Sequence, residues 1–151
     1  TDRNVALQGR AAQYAIINSA QYGFYSAAIN AIDGNKDPNF YHGFCSCTHN
    51  GLSPWWRVDL LKPYKIVYIT ITNRGDCCSE RLNGAEILIG SSLSDNGNNN
   101  PRCGLVTSIP AGGTQHFYCH GMVGRYVIVV LRGKAEFLQL CDVAVWTTDS
   151  H

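Results

Sequence analysis

Charge is scarce in this chain. Of its 151 residues only 15% are Asp, Glu, Lys or Arg, and these nearly cancel to a formal net charge of +1. No basic stripe is present to neutralise a phosphate backbone, which argues against nucleic acid as a partner. Neither an acidic tail nor a Lys/Arg-rich amphipathic stretch occurs, so electrostatic attachment to a membrane is not expected. Long apolar runs are lacking as well: a stretch such as Val127–Leu131 falls far short of the roughly 20 residues that cross a bilayer, so no membrane insertion is expected. No signal peptide shows at Thr1, and the sequence reads as a mature chain or as one module of a longer protein. There is no Asn-x-Ser/Thr sequon, so glycosylation gives no second indication of secretion. Also missing are a Cys-x-x-Cys pair, a Gly-x-Ser-x-Gly elbow and a His-Glu-x-x-His helix, the usual marks of zinc knuckles, serine hydrolases and zinc peptidases.

Cysteine, by contrast, is plentiful. Seven occur, at Cys45, Cys47, Cys77, Cys78, Cys103, Cys119 and Cys141. Without zinc spacing they read as disulfides formed in an oxidising compartment, and their odd number leaves at least one thiol over. The length suits one domain, residues 1–151, with a real core. No internal repeat or linker is visible. Short β-type runs dominate: Trp55–Leu60, Tyr64–Thr72, Glu86–Ile89, Gly124–Arg132 and the alternating Phe137–Trp146. Turn-rich stretches separate them, among them Asp33-Gly34-Asn35, Asn73–Asp76, Ser94–Pro101 and Ala111-Gly112-Gly113. The only helix signal is a weak one around Ser26–Ala31. This pattern predicts an all-β fold, an antiparallel β-sandwich with its functional residues in loops at the strand ends.

His49, Arg74-Gly75-Asp76, Cys77-Cys78 and Arg81 stand close together in those loops. Two arginines offer planar forks of N–H donors able to bridge neighbouring oxygens of a neutral sugar, and a neutral imidazole adds one directional donor. Asp76 suits orienting the arginines better than touching a ligand. Taken singly, each of these residues is an ordinary solvated loop residue; the spacing and its surroundings change that. The tripeptide Arg74-Gly75-Asp76 also has the integrin-type sequence, but a preceding strand and a vicinal cysteine pair constrain it. Adjacent cysteines have Cα atoms only about 3.8 Å apart, short of the usual disulfide span of about 4.4–6.8 Å. On the residues alone, each would be expected to pair elsewhere.

The spacing His49-x24-Arg74-x-Asp76-x4-Arg81 resembles the sugar-binding signature of the F-type lectins, or fucolectins. The likeness extends through Asn30-Ala-Ile-Asp-Gly-Asn35, Pro54-Trp-Trp-Arg-Val-Asp-Leu60, Thr70-Ile-Thr-Asn-Arg-Gly-Asp-Cys-Cys78, Gly124-Arg-Tyr-Val127 and Leu138-Gln-Leu-Cys141, about Asn4 to Val145 in all. The resemblance implies a discoidin-like jelly-roll sandwich and a secreted, calcium-dependent lectin that binds terminal α-L-fucose on glycans in innate immune recognition. By the same matching His49, Arg74 and Arg81 hydrogen-bond the sugar. A Cys77–Cys78 disulfide presents an apolar face to its ring, and Phe40 and Tyr41, with Ile17 as a further wall, enclose its methyl group. The implied calcium ligands are the carbonyls of Asn30 and Cys141 and the side chains of Asp33, Asn35, Ser46 and Asp142, an oxygen set of the kind calcium takes. Where the family commonly has Glu, Asp142 is one methylene shorter. The implied bonds are Cys47–Cys141 and Cys103–Cys119. Cys45 is then the extra cysteine, in Gly43-Phe-Cys-Ser-Cys-Thr-His49, two residues longer than the family's Gly-Ser-Cys-Thr-His. It is expected exposed in a loop beside the sugar pocket, as a free thiol or bonded to another chain, with replacement of Cys47 in the bond to Cys141 as a third arrangement. One shallow pocket binds weakly, so a homo-oligomer or tandem array is expected.

Two other classes compete. A glycosidase needs paired carboxylates, whereas this constellation is cationic with Asp76 its one obvious acid. A discoidin-like module binding phospholipid or protein would need exposed apolar spikes with a basic rim.

Overall fold

A computed structural model describes residues 2–13, 28–32, 34, 45–48 and 51–148. The strands, in chain order, are β1 (Asp2–Asn4), β2 (Arg10–Gln13), β3 (Ser46–Cys47), β4 (Gly51–Leu52), β5 (Trp55–Thr72), β6 (Glu86–Gly90), β7 (Arg102–Leu105), β8 (Thr114–Val130), β9 (Ala135–Glu136), β10 (Gln139–Leu140) and β11 (Asp142–Thr148). Seven form one sheet in the order β1-β11-β5-β8-β6-β7, with β2 added to β5; β3–β10 and β4–β9 form two small ladders.

β5 and β8 run through both layers. Trp55–Asp59 of β5 pairs with β2 and with Tyr126–Val130 of β8, while Tyr68–Thr72 pairs with β11 and with Thr114–Tyr118. The register breaks between Asp59 and Tyr64 and again between Ile66 and Tyr68. Such bulges bend a strand, and here they fold the long ribbon back on itself into two layers. Trp56, Val58, Leu60, Ile87, Ile89, Val127 and Val129 of one layer meet Ile69, Ile71, Phe117, Val143 and Val145 of the other in a single core. The expected sandwich is thus observed.

Two expected strands, Trp55–Leu60 and Tyr64–Thr72, are one. The Leu61–Pro63 interruption is a bulge: Leu61 takes a left-handed φ of 76° and its N–H donates to Asp59 Oδ1 at 2.8 Å. Proline, lacking an N–H, fits such a point. Arg125 forks onto the same carboxylate at 2.8 and 2.9 Å, and that hydrogen bonding holds Asp59 below the usual carboxylate range. The Phe137–Trp146 run divides instead of forming one strand. β10 pairs with β3 and β11 with β5, the change falling at Cys141, whose N–H donates to the Thr72 carbonyl at 2.9 Å. The weak helix signal corresponds, over its described residues, to a 3-10 turn, Ala28–Ile32. No helix among the described residues is long and apolar enough to cross a membrane.

The disulfides correct one expectation. Cys103–Cys119 and Cys77–Cys78 are bonded as the resemblance implied. Cys141, however, bonds Cys45, and Cys47 keeps a buried thiol. Register is the cause. In the antiparallel β3–β10 pair, Cys47 faces Gln139 and Ser46 faces Leu140, so residue 45 is the one brought opposite residue 141. Cys45 therefore is not an exposed loop thiol; it is 0% exposed.

Candidate functional site

Because β5 doubles back, its two ends lie at the same end of the sandwich, and there Thr72 runs into the loop that carries the arginines. Asn73 fixes this loop from within. Its side chain, 0% exposed, donates to the carbonyls of Ser79 and Ile109 at 2.9 and 2.8 Å and accepts from the Arg74 N–H at 2.9 Å. A buried amide with its bonds made is a rigid staple. Beyond it the vicinal disulfide closes Cys77 on Cys78, with Cys78 at a left-handed φ of 68°. The 3-10 turn Ser79–Leu82 follows, pinned by the fully buried Leu82, and sets Arg81 beside Arg74.

Arg74 is 7% exposed. Its Nε and Nη2 donate to the two oxygens of Asp76, each at 2.9 Å, and its Nη1 donates to Gln139 Oε1 at 3.1 Å. Asp76 thus orients the guanidinium, as its place in the motif suggested. Arg81 Nη1 reaches the same Gln139 oxygen at 3.5 Å. Its Nε lies 3.7 Å from Glu136, and its guanidinium lies 4.8 Å from the centre of the Phe137 ring. Gln139 Nε2 donates to the Cys78 carbonyl at 3.0 Å. One amide side chain therefore ties both arginines and the vicinal disulfide together. Such planar, forked donors, held by acids and an amide, suit a neutral polyhydroxylated ligand.

Sequence reasoning missed Gln139, Asn73, Glu136 and Phe137. Gln139 lies between two leucines in a strand, the place of a solvent-facing polar residue, yet it is fully buried. The signal that could have found it was its position two residues before Cys141, within one of the matched segments.

Cys47 lies under this cluster. It packs with Cys45, Cys141 and Phe137, so the sulfur group supports the ring beneath Arg81. Burial pushes its thiol up to about 11, although Arg74 and Arg81 pull the other way. At pH 8 only about one thiol in a thousand is then ionised, and the thiolate is the nucleophile. Native protein is expected to resist iodoacetamide at pH 8 and to take up one equivalent per chain once denatured, as read by intact mass. Rapid alkylation of Cys47 in the folded state contradicts this placement.

The calcium nominees divide. Asn30 lies half-buried in the Ala28–Ile32 turn, which packs on β3 and β11 and is anchored where its Ala28 carbonyl accepts from the Trp56 indole at 3.0 Å. Ser46 donates to the Leu140 carbonyl at 3.4 Å, next to Cys141 and Asp142, and all three nominees on these strands are nearly inaccessible. A buried carboxylate beside hydroxyl and carbonyl oxygens is the donor chemistry that calcium takes, so the described residues fit the ion. No group of three or more His, Cys, Asp or Glu that could hold a metal occurs among the described residues; the nominated set is mostly hydroxyl, amide and carbonyl. Asp33 and Asn35, like Ile17, Phe40, Tyr41 and His49 of the proposed sugar site, lie outside the described residues.

The comparisons with known proteins agree with this geometry. Residues 30–129 match a family described as a NedA-like, galactose-binding domain. Fucolectin-4 of Anguilla japonica is 55% identical over 146 residues, which cover 95% of this chain and 79% of that one. Fucolectin of Anguilla anguilla is 51% identical, covering 96% of this chain and 91% of the relative. The crystal structure of a fucolectin from Morone saxatilis serum superposes with a TM-score of 0.90 at 45% identity; it accounts for 99% of this chain, which spans only 48% of it. Identity of this level across nearly the whole chain, together with the shared β-sandwich, places the chain in the fucolectin family, the F-type lectins.

Proposed function

We propose that the chain is one carbohydrate-recognition domain, calcium-dependent, that binds terminal α-L-fucose on glycans. The observation that carries this reading is the Gln139-linked pair of Arg74 and Arg81 beside the Cys77–Cys78 disulfide, in a chain 55% identical to a fucolectin. The arginine forks would hold sugar oxygens, the disulfide would face the ring, and His49, Phe40, Tyr41 and Ile17 would complete the pocket. As a member of a lectin family the chain is not an enzyme, and Asp76 and Glu136 serve to hold arginines. Three disulfides mark a protein matured in an oxidising compartment and secreted. Recognition of fucosylated surfaces in innate immunity fits that location. One pocket for one sugar binds weakly, so several copies, as a homo-oligomer or a tandem array, would be needed for cell recognition.

Calcium would be held by Asn30, Asp33, Asn35, Ser46, Cys141 and Asp142, and would supply positive charge that fastens the Asn30–Ser46 segment to the last strand. It would not touch the sugar. Binding only to the folded state, the ion at a hundredfold excess over Kd adds about 2.7 kcal/mol, or roughly 5–10 °C in Tm for a domain of this size. A glycan array and fucose-agarose retention, each run with and without EDTA, test both parts. Loss of terminal-fucose signals on chelation is expected. Unchanged melting and retention in EDTA rejects the calcium reading, and an array without fucosylated hits rejects the lectin specificity.

A further inference from the structure

Aromatic rings collect on the outer face of the second layer, away from the arginine loop. Inward residues on these strands are Ile69, Phe117 and Val145, so their neighbours Tyr68, Tyr118 and Trp146 point outward. The register sets Trp146 opposite Tyr68 and Tyr68 opposite Tyr118, a direct cross-strand row over β11, β5 and β8. Trp146 and Tyr68 stack with centroids 5.8 Å apart and planes 19° from parallel. Tyr118 stands 5.8 Å from Tyr68 on the other side, and His116 stands 5.7 Å from it. Trp146 is fixed by its indole N–H, which donates to Thr70 Oγ1 at 3.4 Å.

Tyr118 ends the row and is 64% exposed. Among the described residues, its stretch of β8, Thr114–Tyr118, pairs only with β5; β6 meets β8 farther along, at Tyr126–Val130. An edge strand carrying an open aromatic ring is a surface that natural proteins normally blunt. Here the ring is held open by the stack behind it. The row and the flanking Thr70 and Ala144 hold no charged side chain, so the matching ligand is neutral. Its surface must be apolar on one face and hydroxylated at its edge, because the ring face adjoins the Tyr118 hydroxyl and the His116 imidazole. A pyranose with its C–H bonds turned to one side has that form.

We propose that Tyr118, backed by Tyr68 and Trp146 and flanked by His116, is a second carbohydrate contact, taking the C–H face of a neutral β-linked pyranose chain independently of the fucose pocket. The choice of carbohydrate rests on the lectin assignment, whereas its test keeps the fucose pocket filled and reads the binding of oligomers that contain no fucose. Chitohexaose and cellohexaose are titrated by calorimetry into the full chain with L-fucose present at saturation. Binding of at least one oligomer is expected. Tyr118→Ala should weaken it at least fivefold and His116→Ala measurably, while Tyr118→Phe stays within about twofold because the ring is kept; all three should hold to fucose-agarose like the wild type. No binding of either oligomer by the wild type overturns the proposal, as does full affinity in Tyr118→Ala. A Tyr118→Ala variant that changes from oligomer to monomer in sedimentation also overturns it, assigning the row to contact between copies. Oligomer binding by a wild-type chain that fucose-agarose fails to retain sinks the fucose reading and leaves this one standing.

Discussion

Arg74→Ala is expected to abolish measurable fucose binding. Charge-assisted hydrogen bonds contribute about 1.5–3 kcal/mol each; losing two amounts to roughly 10²–10⁴-fold in affinity, beyond what a weak monosaccharide site can lose and still be seen. The damage spreads because Arg74 does not stand alone. Its removal strips Asp76 of the guanidinium on both oxygens and takes from Gln139 the donor at 3.1 Å. Arg74→Lys should rescue little, since an ammonium cannot fork onto Asp76 and reach Gln139 at once. Gln139→Leu tests the same linkage from the other side. It leaves both arginines in the chain but removes their shared acceptor and the bond to the Cys78 carbonyl, so fucose affinity should fall about tenfold. Combined with Arg81→Ala, its effect should be less than additive, as for residues of one network. Calorimetric titration alongside melting curves separates binding from folding. A folded Arg74→Ala variant with near-unchanged affinity ends the assignment of the site.

The extent to which this site was legible beforehand follows from what kind of information each residue carries. Arg74, Asp76, Cys77, Cys78 and Arg81 lie within eight consecutive positions, so one short motif within a matched sequence marked them, and the loop that holds them keeps them together. Gln139 reaches the same cluster from 58 residues beyond Arg81, and only the pairing of β10 with β3 brings it there. Side-chain alternation gave a solvent-facing reading at Gln139 because alternation assumes one open face; in the short β3–β10 ladder both faces are covered. The sandwich itself was readable from alternating strands. The fusion of Trp55–Leu60 with Tyr64–Thr72 was not, because Lys62-Pro63 carries the same local signal whether the chain turns or bulges. What distinguishes the two is the Arg125–Asp59 fork, a contact across 66 residues that holds the carboxylate onto which the Leu61 N–H donates.

Cys45→Ser is expected to cost about 2–5 kcal/mol, the usual loss for a native disulfide in a secreted domain, and Cys47→Ser about 1 kcal/mol or less. Sequence could not choose between these cysteines, because residues two apart on a strand share a face and either would point toward Cys141. The neighbouring hydrogen bonds decide. Thr48 donates its N–H to the Leu138 carbonyl at 2.9 Å and accepts the Leu138 N–H on its hydroxyl at 3.0 Å, while Ser46 donates to the Leu140 carbonyl. Moving Cys47 into the bond would slide β3 by two residues and break all of these. The Cys45–Cys141 bond closes a 96-residue separation, a long loop whose closure restricts the unfolded chain strongly. At Cys47, serine can still donate to the Thr48 carbonyl that the thiol contacts at 3.5 Å, so little is lost beyond the change from sulfur to hydroxyl. Cys45→Ser has a further consequence. Cys47 and Cys141 then lie in one buried cluster with no competing sulfur, and an oxidising refold can join them in the slipped register. Such a bond would restore part of the stability but displace Ser46, so calcium affinity should fall while the melting temperature partly recovers. Peptide mapping without reduction, melting curves and calcium titration of both variants decide the matter together. A large loss for Cys47→Ser with little for Cys45→Ser would return the bond to Cys47.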